Sequence, residues 1–452
     1  MTLRLASFGM RGYVGQSLTI RTVMDFASAF GTFIDGGRVL LARDSRSSSP
    51  MLHAAVTASL IGCGCDVLDL GICPTPMLQF SIKPLKAAGG VSITGGHHAM
   101  GWNSISLIGS DGAFIEPVGG ETVLDIYHAG DFLRQRASGV GSVTEINGFE
   151  QEYFAALSRH IDADAIRRAG LTVLIDPLGG AGCPYLPTFA RELGFNLIGI
   201  NDQLSGYLPR EAEPRPRSAL QMASFIRHVH GHAGFVLSSE MGRMSMVTEA
   251  GEPASEEYTF AVIADHVLRR QPGGVVVTNC CTTRTIDDIA ARHGSHVVKT
   301  PVGQAYIISA LEDESGIIGG EGSGSAILPA FNRGFDGFLM MALVLEAMAV
   351  RGQSLSGLIK ALPRYHIVKK SIACGSRKGY GAIEAIKSRL DAFGRIEGTD
   401  LTDGFRINWT DGWLHARASH TEQIVRVISE AAEREVAEHR ADMMLRMIGA
   451  SI

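Results

Sequence analysis

Two adjacent histidines, His97 and His98, are the residues best placed to do acid–base chemistry. They follow the apolar run 91–93, which predicts a strand, and a Gly-Gly pair that allows the backbone to turn sharply. Histidines at such a turn should be exposed and should titrate near neutral pH, as a general acid or base requires. An ordinary loop between a strand and a helix, with histidines of no special role, would have the same sequence.

A second group is suited to holding phosphate. Arg417, Ser419 and Thr421, with His420 between the two hydroxyls, precede the segment 422–447, which is predicted to be a long helix. An arginine, two hydroxyls and a helix N-terminus can bind a phosphate without any metal. The same residues also fit a simple helix cap with Thr421 as the N-cap, and the two interpretations are compatible.

These side chains need a scaffold, and the sequence predicts an α/β fold with mostly parallel sheets. Short apolar runs alternate with helical stretches and Gly/Pro loops, which is the pattern of βαβ units. The apolar segment 338–350 predicts a buried helix, and the last part of the chain, which mixes strands with the long helix, predicts an α+β domain. The predicted strands are 39–42, 66–70, 91–93, 171–176, 234–237, 275–278, 405–409 and 413–416.

Length and composition limit the possible classes of protein. At 452 residues the chain is too long for one core, and three or four domains are expected. A net charge of −5 provides no attraction to nucleic acid or to an anionic membrane. The N-terminus lacks the apolar stretch of a signal peptide, the longest apolar run is too short to cross a bilayer, and the seven cysteines have no metal-site spacing. We therefore expect a cytoplasmic protein with reduced thiols and no nucleic-acid or membrane partner.

The histidine loop resembles the active-site loop of the α-D-phosphohexomutases, the family of phosphoglucomutase, phosphomannomutase and phosphoglucosamine mutase. In that family the loop reads Thr-Ala-Ser-His-Asn-Pro, and its serine carries the phosphate that is exchanged with the sugar. Thr94 and His97 match the motif, whereas Gly96 takes the place of the serine. The resemblance therefore implies the fold of the family, with a site that lacks its nucleophile.

The segment 238–243 resembles the Asp-Gly-Asp-Ala-Asp-Arg loop of the same family, whose three aspartates hold Mg²⁺. Ser238, Glu240 and Gly242 stand at the aspartate positions, and Arg243 is retained. Magnesium prefers several oxygen ligands in octahedral geometry, so one glutamate and one serine make a poor site. We therefore expect no metal and no other cofactor.

Three further segments resemble parts of the family that bind the substrate: an N-terminal Arg-Gly pair, the Gly-rich sugar-binding loop 319–324 and the phosphate-binding loop 417–422. The resemblance covers nearly the whole chain. It implies three related α/β domains and a C-terminal α+β domain around a central cleft, with boundaries at 1–147, 148–250, 251–364 and 365–452. The substrate-binding residues that it implies are Arg11, Arg243, Glu321, Ser323, Arg417, Ser419, His420 and Thr421.

Three hypotheses follow for function. A repurposed enzyme would bind a phosphorylated sugar or a nucleotide-like relative, and would use His97, His98 or Glu240 for acid–base catalysis in place of phosphoserine chemistry. A non-catalytic phosphosugar sensor or partner subunit would use the binding residues alone. A mutase acting by an atypical route would still exchange phosphate between positions of the sugar. The His-His-Glu group could also bind zinc if the loop bends enough to bring its side chains together.

Overall fold

The computed structural model describes residues 3–387, 389–419 and 423–451. Its strands, in chain order, are β1 Arg4–Ala6, β2 Gly9–Tyr13, β3 Gly37–Arg43, β4 Cys65–Ile72, β5 Gly89–Ile93, β6 Trp102–Ile108, β7 Val143–Glu145, β8 Thr172–Asp176, β9 Asn196–Gly199, β10 Ala233–Leu237, β11 Met244–Thr248, β12 Val275–Asn279, β13 His296–Thr300, β14 Ile318–Glu321, β15 Ser325–Ile327, β16 His366–Ala373, β17 Gly398–Asp400, β18 Phe405–Trp409, β19 Gly412–Ala418 and β20 Ile424–Ala431.

The helices alternate with these strands over most of the chain, as predicted. In chain order they are α1 Ile20–Ile34, α2 Ser49–Gly62, α3 Thr75–Ser81, α4 Pro117–Ala129, α5 Phe149–Ser158, α6 Ala163–Ala169, α7 Leu186–Leu193, α8 Leu220–Phe225, α9 Glu257–Arg270, α10 Thr285–Arg292, α11 Gln304–Asp313, α12 Gly337–Arg351, α13 Leu355–Lys360, α14 Ser376–Lys387 and α15 Arg434–Gly449. Short 3₁₀ turns lie at Ala137–Gly139, Cys183–Tyr185, Pro216–Ala219 and Leu390–Phe393.

The described chain divides into two compact units. The first unit comprises Met1–His266, of which residues 3–266 are described, together with Ile317–Ile359. The second comprises Val267–Gly316 and the described part of Lys360–Ile452.

A seven-stranded mixed sheet organises the start of the first unit, in the order β1-β2-β6-β5-β3-β4-β7. The strands β5, β3, β4 and β7 pair in parallel, and β1, β2, β6 and β5 pair antiparallel. In the parallel pair of β3 and β5, Arg43 lies opposite Ile93. Because both strands end there, residues 44–46 and 94–98 leave the sheet at the same edge.

This sheet forms because its central strands are apolar on both faces. All five residues of β5 are buried, and Val39 and Leu41 of β3 join the same core as Phe26 and Phe30 of α1. Burying one such side chain contributes about 1.5–3 kcal/mol to folding. The loops that follow β3 and β5 are therefore held by a well-packed base.

Two β-hairpins of the first unit carry the other candidate loops. Leu237 pairs with Met244 at the end of the β10–β11 hairpin, so residues 238–243 form its loop. β10 is also parallel to β8, in a four-stranded sheet of order β11-β10-β8-β9. In the β14–β15 hairpin Glu321 pairs with Ser325. The N–H of Met244 donates to the carbonyl of Gly324 at 2.8 Å, so the two loops are neighbours.

Helix α12 confirms the buried helix that was predicted at 338–350. Most of its side chains, including Glu346, are inaccessible to solvent. The two carboxylate oxygens of Glu346 lie 2.8 Å from the backbone N–H of Asp162 and 2.8 Å from Nε2 of His266. The acid in this apolar helix is therefore hydrogen-bonded, as a buried carboxyl group must be.

The second unit contains the parallel pair β12–β13 and a five-stranded antiparallel sheet in the order β16-β20-β19-β18-β17. The helices α14 and α15 contribute to the core on one face of this sheet, where they pack against alternate residues of β19 and β20. Residues 280–284 lie against the opposite face, where the N–H of Arg284 and the indole of Trp413 both donate to Glu430 at 2.8 Å.

The prediction of one long helix over 422–447 is wrong. Residues Ile424–Ala431 form β20, and the helix α15 begins only at Arg434. In β20 the buried residues Val425, Val427 and Ser429 alternate with more exposed ones, which is the period of a strand. β20 also has β16 on one side and β19 on the other, so pairing on both edges decides its conformation.

None of the helices in the described ranges has both the length and the apolarity that crossing a membrane would need.

Candidate functional site

A buried carboxylate, that of Asp44, orders the loop that follows β5. Its Oδ2 accepts hydrogen bonds from the hydroxyl of Thr94 at 2.9 Å and from the N–H of Gly95 at 3.0 Å. Its Oδ1 accepts from the hydroxyl of Ser49 at 2.6 Å. Asp44 follows β3 as Thr94 follows β5, so the parallel register brings the two together.

The guanidinium of Arg46 holds the rest of this loop. It is fully buried beside Asp44, with 3.2 Å between Nε and Oδ2. Its two terminal nitrogens donate to four backbone carbonyls of the loop, at 2.7–3.2 Å. These carbonyls belong to Gly96, His98, Ala99 and Trp102. The loop conformation is therefore fixed by one ion pair and its hydrogen bonds.

Neither of the two glycines of the loop is easily replaced by a residue that has a side chain. A Cβ on Gly95 would lie 2.2 Å from Cζ of Arg46, so no side chain fits there while the guanidinium is in place. Gly96 has φ +54°, a left-handed conformation that glycine adopts without strain. A Cβ on Gly96 would lie 3.4 Å from Oε2 of Glu240. The position that resembles the family's serine therefore faces a carboxyl group.

His98 is held as a neutral acceptor, and the expectation that it is exposed and titrates near neutral pH is wrong. Its side chain is partly buried, and its Nε2 lies 2.5 Å from Nη1 of Arg11. Burial, and then the charges of Arg11 and Arg243, lower the pKa of His98 to about 3. Because arginine can only donate, Nε2 of His98 carries no proton in this contact.

His97 lies next to His98 in the bent loop, with 4.4 Å between the ring centroids. It too is partly buried, contrary to the expected exposure. The two rings do not form a metal cluster with Glu240. In the described part of the chain, the one group of three potential metal ligands is Cys280, Cys281 and His415.

Glu240 presents a carboxyl oxygen to the glycine loop. Its Oε1 accepts from the hydroxyl of Ser238 at 3.0 Å. Its Oε2 is shielded from solvent and has no hydrogen-bond partner among the residues that the structure describes. Burial raises the pKa of Glu240, although Ser238 and the charge of Arg243 oppose the shift. A carboxyl group of this kind retains its proton at higher pH than usual.

The donor set of the loop 238–243 does not fit Mg²⁺. It contains one carboxylate, that of Glu240, and Gly242 has no side chain. The Ser238 hydroxyl already donates to Glu240 and accepts from the N–H of Arg243 at 3.0 Å. Magnesium requires several oxygen ligands that are free to converge on it, and this loop does not offer them.

Arg243 and the sugar-loop residues lie close to the same hairpin. Nη1 of Arg243 lies 3.0 Å from Oε1 of Glu213, in the Pro-rich segment that precedes α8. The Ser323 hydroxyl donates to Oε2 of Glu321 at 3.2 Å. The hydroxyl of Ser325 donates to the carbonyl of Gly242 at 2.9 Å, which joins the two hairpin loops.

The predicted phosphate-binding residues Arg417 and Ser419 belong to the second unit. Nη1 of Arg417 lies 3.3 Å from Oδ2 of Asp403, which also accepts from the N–H of Val302 at 2.9 Å. Ser419 is buried at the end of β19. The predicted residues His420 and Thr421 lie outside the described residues. The described segment that follows this loop is the strand β20, so the helix that was predicted to begin here is replaced by a strand.

Within the first unit the structure brings together Arg11, His97 and His98, and it places Glu240 against Gly96. Asp44 and Arg46, which order this site, were not singled out from the sequence. The signal that could have found them is their place directly after β3, at the edge where β5 also ends.

Comparisons with known proteins bear on this geometry. Three family models match the chain: Phosphoglucomutase/phosphomannomutase, alpha/beta/alpha domain I at residues 5–134, domain II at 151–251 and domain III at 255–365. A phosphoglucomutase/phosphomannomutase of Thermococcus kodakarensis is 33% identical over 98% of this chain and 97% of its own length. The chain belongs to the α-D-phosphohexomutase family. A probable phosphoglucosamine mutase of Pyrococcus abyssi is 34% identical, over 95% of this chain and 94% of its own length.

Solved structures agree on the phosphohexomutase fold. A phosphoglucomutase/phosphomannomutase family protein of Burkholderia thailandensis has a TM-score of 0.86 at 22% identity, and covers 99% of this chain and 98% of its own. A putative phosphomannomutase of Thermus thermophilus has a TM-score of 0.84 at 24% identity, with 98% and 99% covered. The predicted fold class, three related α/β domains with mixed sheets and a C-terminal α+β domain, is confirmed.

Proposed function

We propose that this phosphohexomutase-family protein binds a phosphorylated sugar and acts on it by proton transfer at Glu240, without a phosphoserine. The observation that carries the proposal is the position of Glu240, whose Oε2 faces Gly96 where the family motif has its serine. A carboxyl group with a raised pKa is suited to general acid–base catalysis near neutral pH.

The substrate class is inferred from the relatives, two of which are named as mutases of phosphorylated hexoses or hexosamines. Arg417 and Ser419 are proposed to bind the phosphate, and Glu321 and Ser323 the sugar hydroxyls. Arg11 is proposed to bind substrate too, although it is paired with His98.

The proton-transfer role is assigned to Glu240 ahead of the two histidines. His98 is neutral and accepts from Arg11, so it has no proton to give through Nε2 and no free lone pair there. His97 remains a candidate second acid or base, since it lies in the loop beside Gly96. One residue with a raised pKa and a second titratable group nearby are the minimum for moving a proton on and off a sugar.

A second candidate function is phosphate exchange by an atypical route. It is favoured by the 33% identity to a named phosphoglucomutase/phosphomannomutase over nearly the whole chain. A phosphosugar sensor or partner subunit is the third candidate, and it requires the binding residues alone.

A phosphorus NMR screen distinguishes these functions. Wild-type protein is incubated with the 1-phosphates and 6-phosphates of glucose, mannose and glucosamine, and product resonances and binding are recorded. A new sugar phosphate that depends on Glu240 supports the proposal, and Glu240→Gln should then lower turnover by about 10²- to 10⁴-fold. The matched control is Glu121→Gln, which changes an exposed carboxylate on α4.

Other outcomes count against the proposal. Exchange between 1-phosphate and 6-phosphate that persists in Glu240→Gln would identify a mutase, and binding without any product would identify a sensor. Equal turnover by Glu240→Gln and Glu121→Gln would remove Glu240 from the mechanism.

A further inference from the structure

Two adjacent cysteines and a histidine form a compact cluster in the second unit. Cys280 and Cys281 directly follow β12, and His415 lies on β19. Leu414 and Ala416 of β19 belong to the core under α14 and α15, so His415 between them faces the opposite side of the sheet. Cys280 and His415 are each only 1% exposed.

The hydrogen bonds of His415 decide which of its nitrogens can act as a ligand. Nε2 lies 2.5 Å from the carbonyl oxygen of Asp403, which can only accept, so Nε2 carries the proton. Nδ1 therefore has the lone pair, and it lies 3.2 Å from Sγ of Cys281. A histidine that donates its other N–H to a carbonyl is the usual arrangement in metal sites, because the contact fixes the tautomer and the ring orientation.

The spacing of the three ligand atoms fits one tetrahedral cation. Sγ of Cys280 lies 3.9 Å from Sγ of Cys281, and one ligand atom from each residue lies within 4.8 Å of the others. With Zn–S bonds of about 2.3 Å and a Zn–N bond of about 2.0–2.1 Å, the edges of a tetrahedron measure about 3.5–3.8 Å. The observed S–S and S–N separations lie on either side of this range, so small shifts of the side chains would complete the site.

We propose that Cys280, Cys281 and His415 bind a thiophilic divalent cation, with zinc as the best fit. Thiolate and imidazole ligands favour zinc over magnesium or calcium, which prefer oxygen. Three protein ligands leave a fourth position for water or an added group. The site is independent of the proposed proton transfer, and its cysteines were missed in the sequence because His415 is 134 residues from Cys281.

The charges around the cluster are compatible with a bound dication. Metal binding would deprotonate the thiols and release their protons to solvent. Two thiolates would neutralise the charge of Zn²⁺. Two arginines lie nearby: Arg417 is paired with Asp403, and the buried Arg406 donates to the backbone carbonyl of Cys280.

The site would also stiffen the predicted phosphate loop. Asp403 accepts from His415 through its backbone carbonyl and pairs with Arg417 through its carboxylate. A cation that fixes the imidazole would therefore fix the partner of Arg417. This link makes the metal a positioning element for Arg417, with no part in any chemical step.

Cobalt titration tests the site in the full-length protein. The reduced protein is freed of metal with a chelator and titrated with Co²⁺ and then Zn²⁺, and thiolate-to-cobalt charge-transfer absorption is recorded. One equivalent of Co²⁺ should produce this absorption, and Zn²⁺ should abolish it. Cys280→Ser and Cys281→Ser should lose most of the absorption, and His415→Gln should weaken binding by at least about 100-fold.

The matched control is Cys374→Ser, which removes a buried thiol of the same unit outside the cluster. It should titrate like the wild type. Far-ultraviolet circular dichroism of each metal-free variant separates a lost ligand from a lost fold. The inference is overturned if the wild type takes up no Co²⁺ at stoichiometric concentration, or if a folded Cys280→Ser variant takes up as much as the wild type.

Discussion

Glu240 and Gly96 together define what this site can do at the scale of single residues. The family motif has a serine where this chain has Gly96, and a Cβ added at Gly96 would lie beside a carboxyl oxygen of Glu240. A carboxylate and a phosphoserine so close together would repel unless a cation separated them, and the loop 238–243 lacks the ligands for Mg²⁺. A glycine at position 96 is therefore compatible with a carboxyl group at position 240.

The variant Gly96→Ser should not create phosphoglucomutase or phosphomannomutase activity. The serine would adopt a left-handed backbone conformation that costs about 1–2 kcal/mol, and its Cβ would lie 3.4 Å from Oε2 of Glu240. A coupled assay primed with glucose 1,6-bisphosphate should stay at background. Gly96→Ala, which adds the Cβ without the hydroxyl, is the control. Clear turnover by the serine variant alone would mean that a metal cage is not needed.

The raised pKa of Glu240 predicts a pH-dependent stability. Burial raises this pKa above the ordinary 4.5, so the folded state holds the proton more tightly than the unfolded chain does. The wild type therefore loses stability as pH rises from 4.5 through the folded-state pKa. Since glutamine does not titrate, Glu240→Gln should gain in thermal midpoint relative to the wild type over that rise.

Thermal unfolding of both proteins across this pH range measures the difference. Glu121→Gln is the control, and its difference from the wild type should stay constant because Glu121 is exposed. If the midpoint of Glu240→Gln stays level with or falls relative to that of the wild type from acid to neutral pH, the raised pKa of Glu240 is contradicted.

At the scale of loops and strands, the loop that follows β5 depends on Arg46. Its guanidinium donates to four loop carbonyls and pairs with Asp44, whose side chain is only 1% exposed. Arg46→Met should therefore destabilise the protein by about 3–5 kcal/mol, because it leaves a buried carboxylate without its cation. Arg46→Lys should recover only part of this loss, since an ammonium group lacks the planar fork of donors.

Unfolding midpoints in urea would measure both variants. Arg21→Met removes an arginine whose side chain is 92% exposed and paired with Asp25, and it should change stability by less than about 0.5 kcal/mol. An Arg46→Met protein as stable as Arg21→Met would show that the loop does not need the guanidinium.

The helices and strands that could be predicted from the sequence are those marked by a continuous run of apolar residues. The strands that precede the candidate loops and the buried helix α12 follow from runs of apolar residues, and they were found within a few residues of their ends. β20 was mistaken for a helix because its polar residues masked a period of two, and only pairing with β16 and β19 settles it. Arg46 was missed because the four carbonyls that it binds lie 50–56 residues further along the chain, and the cysteine cluster was missed because His415 lies 134 residues from Cys281.

At the scale of the whole molecule, the resemblance of scattered motifs predicted the family correctly, since relatives with about a third of residues identical match nearly the whole chain. Such agreement constrains the fold far more than it constrains the chemistry. A fold of this size tolerates replacement of a few polar loop residues, whereas a reaction depends on each of them. Function must therefore be tested residue by residue.

Binding and chemistry are predicted on different stretches of chain, so they should respond to different substitutions. If Arg417 binds the phosphate, Arg417→Ala should weaken the affinity for a sugar phosphate by about 10- to 100-fold, since a charge-assisted hydrogen bond contributes about 1.5–3 kcal/mol. Arg434→Ala removes the same charge from an exposed position on α15 of the same unit, and it should bind like the wild type. His97→Ala should leave affinity nearly unchanged and, if His97 is an acid or base, should lower turnover by about 10²- to 10⁴-fold. Calorimetric titration and the phosphorus NMR assay measure the two quantities on the same proteins. If Arg417→Ala binds as tightly as Arg434→Ala, the phosphate is held elsewhere, and the loop after β19 does not have the role that its resemblance implies.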